Sequence, residues 1–138
     1  MTVTVRYRRI EGYQRSPINQ VMAPLVAVRI AFSGRAVDTL GLVDSGADVA
    51  TFNDAWAQPL GIDLTKYPTG SSTGIGGGGT SRHVPVMLTA CGKRFSATVS
   101  FSPLAPTPFG LLGRADFFEA FNVGFDQRNY QLLVQPLP

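Results

Sequence analysis

Leu42-Val43-Asp44-Ser45-Gly46-Ala47-Asp48 is the stretch that decides how this chain is read. An apolar run delivers a carboxylate, a hydroxyl and a glycine, in that order, into a tight loop. Asp-Ser-Gly alone is a common turn, because all three residues form turns readily. Its position sets it apart. Asp44 ends an apolar run, where a surface turn would be preceded by polar residues, and a carboxylate partly withdrawn from water is a functional-site candidate.

The sequence on both sides of the loop alternates with the period of strands. Upstream, Thr2 to Tyr7 reads as a strand, and Pro24 to Phe32 as a stronger one closed by Ser33-Gly34. Val37 to Val43 is its expected hairpin partner. Downstream, Val49 to Phe52 is followed by a short helix or turn from Asp54 to Leu60. Asn53 or Asp54 is its candidate N-cap, and Pro59-Leu60-Gly61 its end. Residues 68–81 are rich in Gly, Ser and Thr. Val84 to Ala90 and Phe95 to Phe101 are two more expected strands around a Cys91-Gly92-Lys93 turn, with Cys91 read as a buried strand end. Pro103, Pro106 and Pro108 mark a loop, and Phe109 to Leu112 a short strand stopping at Gly113. Arg114 to Ala120 is expected to be one short helix. Asn122 to Phe125 and Tyr130 to Val134 form a closing hairpin that turns at Asp126 to Asn129.

The chain is 138 residues long, 44% hydrophobic and 15% charged, with 15 Gly and 10 Pro scattered between apolar runs. That composition fits one globular domain of short strands and argues against a helical bundle. The expected class is all-β, a closed barrel or sandwich with one or two short helices. The expected single domain covers 1–138: an N-terminal extension with a strand (1–23), a core (24–125) and a C-terminal hairpin (126–138).

The net charge is +3. Arg6, Arg8, Arg9 and Arg15 crowd the start, and no acid stands between Asp63 and Asp116. Without a dense basic run or basic amphipathic helix, this reads as a mildly basic surface, and no nucleic-acid partner is expected. One cysteine, Cys91, excludes an intrachain disulfide. No apolar run approaches the roughly 18 residues of a membrane span, and residues 1–15 lack the apolar core of a signal peptide, so the expected compartment is cytoplasmic.

Two further segments complete a pattern with Asp44-Ser45-Gly46. Leu111-Leu112-Gly113-Arg114 lies downstream, directly before the expected helix. Between the two sits the glycine-rich Gly74-Ile75-Gly76-Gly77-Gly78-Gly79, flanked by strand-like sequence. In this order the three segments resemble the retropepsin-like aspartic proteases, which have an Asp-Thr/Ser-Gly-Ala loop, a glycine-rich flap and an apolar-apolar-Gly-Arg segment leading into a helix. The resemblance extends from Pro24 to about Phe125.

Peptide hydrolysis by carboxylates needs one group to take a proton from water while another gives one to the carbonyl oxygen. Two carboxyls about 3 Å apart repel by on the order of 5 kcal/mol when both are ionised, at an effective dielectric of about 20. They therefore share a proton, as the paired aspartates of aspartic proteases are known to do. The chain has one such loop, so the dyad calls for two copies of Asp44 across a twofold axis. The resemblance implies an aspartic endopeptidase that cuts polypeptides as a homodimer, without metal or cofactor. It assigns Asp44 the catalytic role and gives Ser45 a bond across the axis. Gly46 approaches substrate backbone, and Ala47 lines the pocket beside the scissile bond. Asp48 pairs with Arg114 after Gly113, and Ile75 with Gly76, Gly77, Gly78 and Gly79 forms the flap. The rival reading is a catalytically silent peptide-binding or dimerisation module on the same fold; the intact Asp44-Ser45-Gly46-Ala47 favours the enzyme.

Other motifs carry less. Gly74, Gly76 and Gly79 fit G-x-G-x-x-G formally, but Pro85 follows and no acid appears until Asp116, so no dinucleotide site is expected. His83 and Cys91 are single, too few for a structural zinc site. Trp56 reads as core beside Phe52 and Leu60. The residues before Pro24 and the hairpin after Phe125 depart from the viral enzymes, whose interleaved termini build the dimer interface; here the C-terminal hairpin is the expected substitute.

Overall fold

The structure, a computed structural model, describes residues 1–10, 21–74, 77–103 and 109–138. Arg15, Ile75, Gly76, Pro106 and Pro108, all singled out in the sequence, lie outside the described residues. Strands β1 (Val3–Arg6), β2 (Arg8–Arg9) and β3 (Met22–Ala23) lead into the hairpin β4 (Leu25–Phe32) and β5 (Arg35–Val43). After the Asp44 loop come β6 (Thr51–Asn53), a 3-10 turn and α1 (Ala57–Leu60). Next are the hairpins β7 (Thr69–Gly74), β8 (Gly77–Ala90) and β9 (Lys93–Ser102). The chain ends with β10 (Gly110–Leu112), α2 (Phe117–Ala120), β11 (Phe121–Asp126) and β12 (Gln131–Pro136).

Six strands close on themselves in the order β4-β5-β10-β6-β9-β8, with β8 pairing back to β4 through Ile30↔Leu88. Closure leaves this all-β fold as the barrel the sequence led us to expect, with β7 appended to β8 as a glycine-rich hairpin from Thr69↔Arg82 to Gly74↔Gly77. Two tight turns set registers. Ser33-Gly34 (φ 47° and 83°) and Cys91-Gly92 (φ 49° and 78°) place both central residues in the left-handed region, the backbone that matches the twist of a two-residue hairpin. Cys91 is thus a half-buried turn residue, not the buried strand end expected from its apolar neighbours, and Lys93 already belongs to β9.

Two pairings are parallel, which no local hairpin signal could indicate. β10 lies parallel to β5 (Leu112↔Val43), and β6 parallel to β9 (Phe52↔Phe101). β10 therefore slots between the Asp44 strand and β6, and small residues make room for it. A Cβ on Gly41 would stand 2.8 Å from Leu112 Cγ, and one on Gly110 would stand 2.3 Å from the Phe52 ring.

The helical pieces are brief. Asn53 caps the 3-10 turn by accepting from Ala55 N at 2.8 Å, and Gly61, at φ 70°, ends α1. Helix α2 begins at Phe117, not at Arg114 as expected, because Arg114 and Ala115 give their N–H groups to the Asp44 loop and Asp116 is the N-cap. Outside the barrel, β1-β12-β11 form a three-stranded sheet of the chain's two ends. Among the described residues no helix is long and apolar enough to cross a membrane.

Phe52, Phe101, Phe117 and Phe121 are fully buried with Ile30, Leu88 and Leu112, and Trp56 packs against this core half-buried. Phe117 joins the barrel to the terminal sheet: its ring is 4.7 Å from that of Phe121 and 6.5 Å from that of Phe95. Phe117→Ala is expected to lower stability by about 3–5 kcal/mol, the usual range for a large aromatic removed from a close-packed core. A urea titration showing a midpoint unchanged from wild type would contradict this.

Candidate functional site

The Asp44 loop leaves the barrel where β5 ends and is pinned from one side by the strand–turn–helix passage that follows β10. Asp44 N donates to Leu112 O at 3.0 Å, Arg114 N to Ala47 O at 2.9 Å, and Ala115 N to Asp48 O at 2.9 Å. The Arg114 guanidinium adds a bond from Nη1 to Ser45 O at 2.8 Å and an ion pair with Asp48. Bonds to four of the five loop residues thus come from a segment distant in sequence. The structure brings Asp44, Ser45, Gly46, Ala47, Asp48, Gly113 and Arg114 together in one place.

Glycines make this approach possible. A Cβ at Gly113 would lie 2.6 Å from the carbonyl carbon of Val49, a main-chain atom with nowhere to go. Within the loop, Gly46 N donates to Asp44 Oδ1 at 2.9 Å, and a Cβ at Gly46 would stand 3.1 Å from that oxygen. Asp44 is half-buried, its Oδ1 is fixed by Gly46, and its Oδ2 has no partner among the described residues. Ser45, with its hydroxyl, is exposed. The Asp48–Arg114 pair is open to water: the side chains are 84% and 55% exposed. The reason is local. Asp48 sits on the outer turn of the loop, and none of the described residues folds over it.

Gly77, Gly78 and Gly79 of the expected flap lie in β8, continuous with the barrel. His83 stands at the base of this hairpin, so close to Gly70 that a Cβ there would be 2.1 Å from His83 Nε2. It packs; among the described residues no cluster of His, Cys, Asp or Glu suits a metal.

Sequence reasoning missed Asp116. It is 5% exposed; its Oδ2 accepts from Ala50 N at 2.8 Å and its Oδ1 from Phe117 N at 3.0 Å. One carboxylate thus caps α2 and fastens the chain two residues past Asp48. Burial pushes its pKa up from the ordinary 3.8, against the pull of backbone N–H groups including those of Ala50, Phe117 and Gly113. The signal was present: an acid directly before Phe117-Phe118 is an N-cap, visible had the helix been started there and not at Arg114.

The comparisons agree with this architecture. No protein-family model matches the sequence, and no curated protein does. Among solved structures, a retropepsin-like aspartic protease from Rickettsia conorii superposes with a TM-score of 0.64 at 19% identity, covering 96% of this chain and 98% of that one. EIAV protease in complex with the inhibitor HBY-793 superposes with a TM-score of 0.54 at 24% identity, covering 67% of this chain and 83% of the other. At these identities the likeness establishes the fold. It is the retropepsin fold.

Two outcomes follow from the site. Gly113→Ala is expected to destabilise the protein by about 2–4 kcal/mol, since a backbone contact must open. Asp116 has a folded pKa above its unfolded value, so its burial opposes folding only once it ionises: that share of stability is present below pH 3.8 and is lost as pH rises through the folded pKa. Asp116→Asn is therefore expected to flatten the fall in stability above pH 3.8, and Asp116→Ala to cost about 2–3 kcal/mol by leaving Ala50 N–H buried and unpaired. Thermal melts across pH 3–7 read both; an unaltered pH slope in Asp116→Asn would refute the assignment.

Proposed function

We propose that the protein is an aspartic endopeptidase that works as a homodimer, with one Asp44 from each chain. The observation that carries this reading is the fixed Asp44 loop. The carboxylate is held by its own Gly46 amide, its backbone is locked to Leu112, and one oxygen is left free. A pair of such carboxylates facing each other holds a single proton between them. The ionised partner takes a proton from water, the water oxygen attacks the peptide carbonyl, and the protonated partner gives its proton to the carbonyl oxygen. Collapse of the tetrahedral intermediate then breaks the C–N bond as the amine leaves protonated. On this reading Ser45, exposed beside the carboxylate, bonds to the second loop, and Ala47 and Asp48 border the bound peptide.

A single chain supplies half of this dyad, so assembly is part of the mechanism. The terminal sheet is the proposed contact. Leu133, 41% exposed, is the large apolar side chain on the outer face of this sheet; Phe125, 45% exposed, is paired with buried Leu132 on the opposite face and stacks on Phe118, and Tyr130 at the turn packs on Tyr7. Leu133 stands between Thr4 and Gly124 on neighbouring strands.

The deciding experiment is cleavage of a diverse peptide mixture between about pH 4 and 7, read by mass spectrometry. Wild type is expected to cut internal bonds, and Asp44→Asn, folded and dimeric, to lose at least about a thousandfold in kcat. Cleavage by neither at concentrations where the wild type is dimeric favours the silent binding module. Equal cleavage by both removes Asp44 from the mechanism. Leu133→Arg is expected to keep the monomer fold, raise the dimer dissociation constant about tenfold or more, and lower activity in proportion at low protein concentration. Sedimentation run beside the assay checks this; full activity in a chain shown to be monomeric would sink the dimer.

A further inference from the structure

Strand β9 is fully paired along one edge and only partly along the other. β8 accompanies it from Lys93 to Phe101, whereas β6 meets the opposite edge only at Ser100–Ser102. The two-residue Cys91-Gly92 turn makes Ala90 and Lys93 a pair that exchanges both backbone bonds. Alternation then turns the N–H and C=O of Lys93, Phe95, Ala97 and Val99 toward β8. Those of Arg94, Ser96 and Thr98 face the other way, the direction in which Ser100 N donates to Ala50 O at 2.8 Å. Among the described residues these three have no backbone partner on that side, and their side chains are exposed.

The free edge borders a groove. A cavity of about 450 Å³ is lined by Ser96, Ala97 and Thr98 of β9, by Pro85 and Val86 of β8 next to them, and by Val49, Ala115 and Asp116. Ser96, Ala115 and Asp116 also line a second cavity of about 210 Å³, bounded by Lys93 and Glu119. Among the described residues, Asp44 lines neither one.

We propose that this groove receives an extended segment of the polypeptide substrate, lying outside the catalytic cleft and added to β9 as a strand along Arg94–Thr98. This rests on the peptidase reading. Donors and acceptors that recur every second residue, at about 6.8 Å, match the backbone of another extended chain better than any small molecule. The charges at the groove are of both signs: Lys93 Nζ is already held by Leu137 O at 2.6 Å and Ala120 O at 3.2 Å, and the exposed Glu119 at one end and the exposed Arg94 on the edge have no ion-pair partner among the described residues. The groove's wall is also the frame of the Asp44 loop: Val49 follows Asp48, Ala115 N bonds to Asp48 O, and Asp116 holds Ala50 N. A strand laid here packs directly on the residues that position the loop.

The test uses full-length Asp44→Asn, unfolded casein as the probe, and residue-resolved amide exchange by NMR. With saturating casein the Arg94, Ser96 and Thr98 amides are expected to exchange at least about tenfold more slowly, and an octapeptide cut by wild type is expected to leave them unchanged. Ser96→Pro removes one outward N–H without touching the β8 ladder and is expected to weaken casein binding about tenfold, whereas Ser96→Ala is not. Retained protection of the β8–β9 amides verifies that the proline variant folds. Unchanged exchange at the three edge amides overturns the proposal, as does equal casein affinity in folded Ser96→Pro. Slowing at the edge while wild type cuts no peptide ends both the peptidase reading and the assignment to substrate, leaving a strand-docking groove for some other chain.

Discussion

Everything that could make this chain catalytic depends on a set of backbone bonds between two segments that are far apart in sequence. Residues 112–115 run past the Asp44 loop closely enough to satisfy Ala47 O and Asp48 O and to hold Asp44 N, so the loop has no independent conformational choice. Fixing a loop in water costs about 1–2 kcal/mol per residue in backbone entropy. Here the ordering is done by folding, before any ligand arrives. Gly113 is the geometric condition for it, since any side chain there would push β10 away from Val49.

Asp116 shows how that arrangement is kept in a low-dielectric interior. Burying a carboxylate is costly unless its oxygens are hydrogen-bonded. Asp116 meets the condition with backbone amides alone, one from its own helix and one from Ala50, just ahead of the neighbouring strand β6. Burial still outweighs those bonds, because its pKa stays raised. A short helix of four residues cannot stand alone in water, so α2 persists because Phe117 is buried and Asp116 caps it. The same two residues anchor the loop frame to the core.

Much of this was legible in the sequence, and the limits have physical causes. The β4–β5 and β8–β9 hairpins were readable because two-residue turns leave a local signature at Ser33-Gly34 and Cys91-Gly92. The Asp44 loop, Gly113 and Arg114 were recognisable as a set. What the sequence could not show was the route that joins them: the parallel pairings of β10 with β5 and of β6 with β9 have no local code, since the partners are distant along the chain. Helix α2 was started three residues early because Arg114, Ala115 and Asp116 have acceptable helix propensity. Tertiary bonding to the loop overrode that preference. Asp116 was lost with the same error. The exposure of the Asp48–Arg114 pair was likewise unreadable, because burial depends on what the rest of the chain fails to cover.

That exposure bears on the proposed function. An ion pair open to water contributes little to stability, about 0–1 kcal/mol, so Arg114 is not explained by stability alone. It differs from an ordinary surface arginine in also bonding to Ser45 O, the residue beside the carboxylate on the face proposed to meet the second chain. If a partner loop and a bound peptide cover this corner, the local dielectric falls and the Coulomb attraction between Asp48 and Arg114 grows severalfold. The pair would then stabilise the assembled, occupied site while adding little to the isolated chain. On the proposed reading, the single chain would be a prepared floor whose electrostatics count only once a second chain and a peptide cover it.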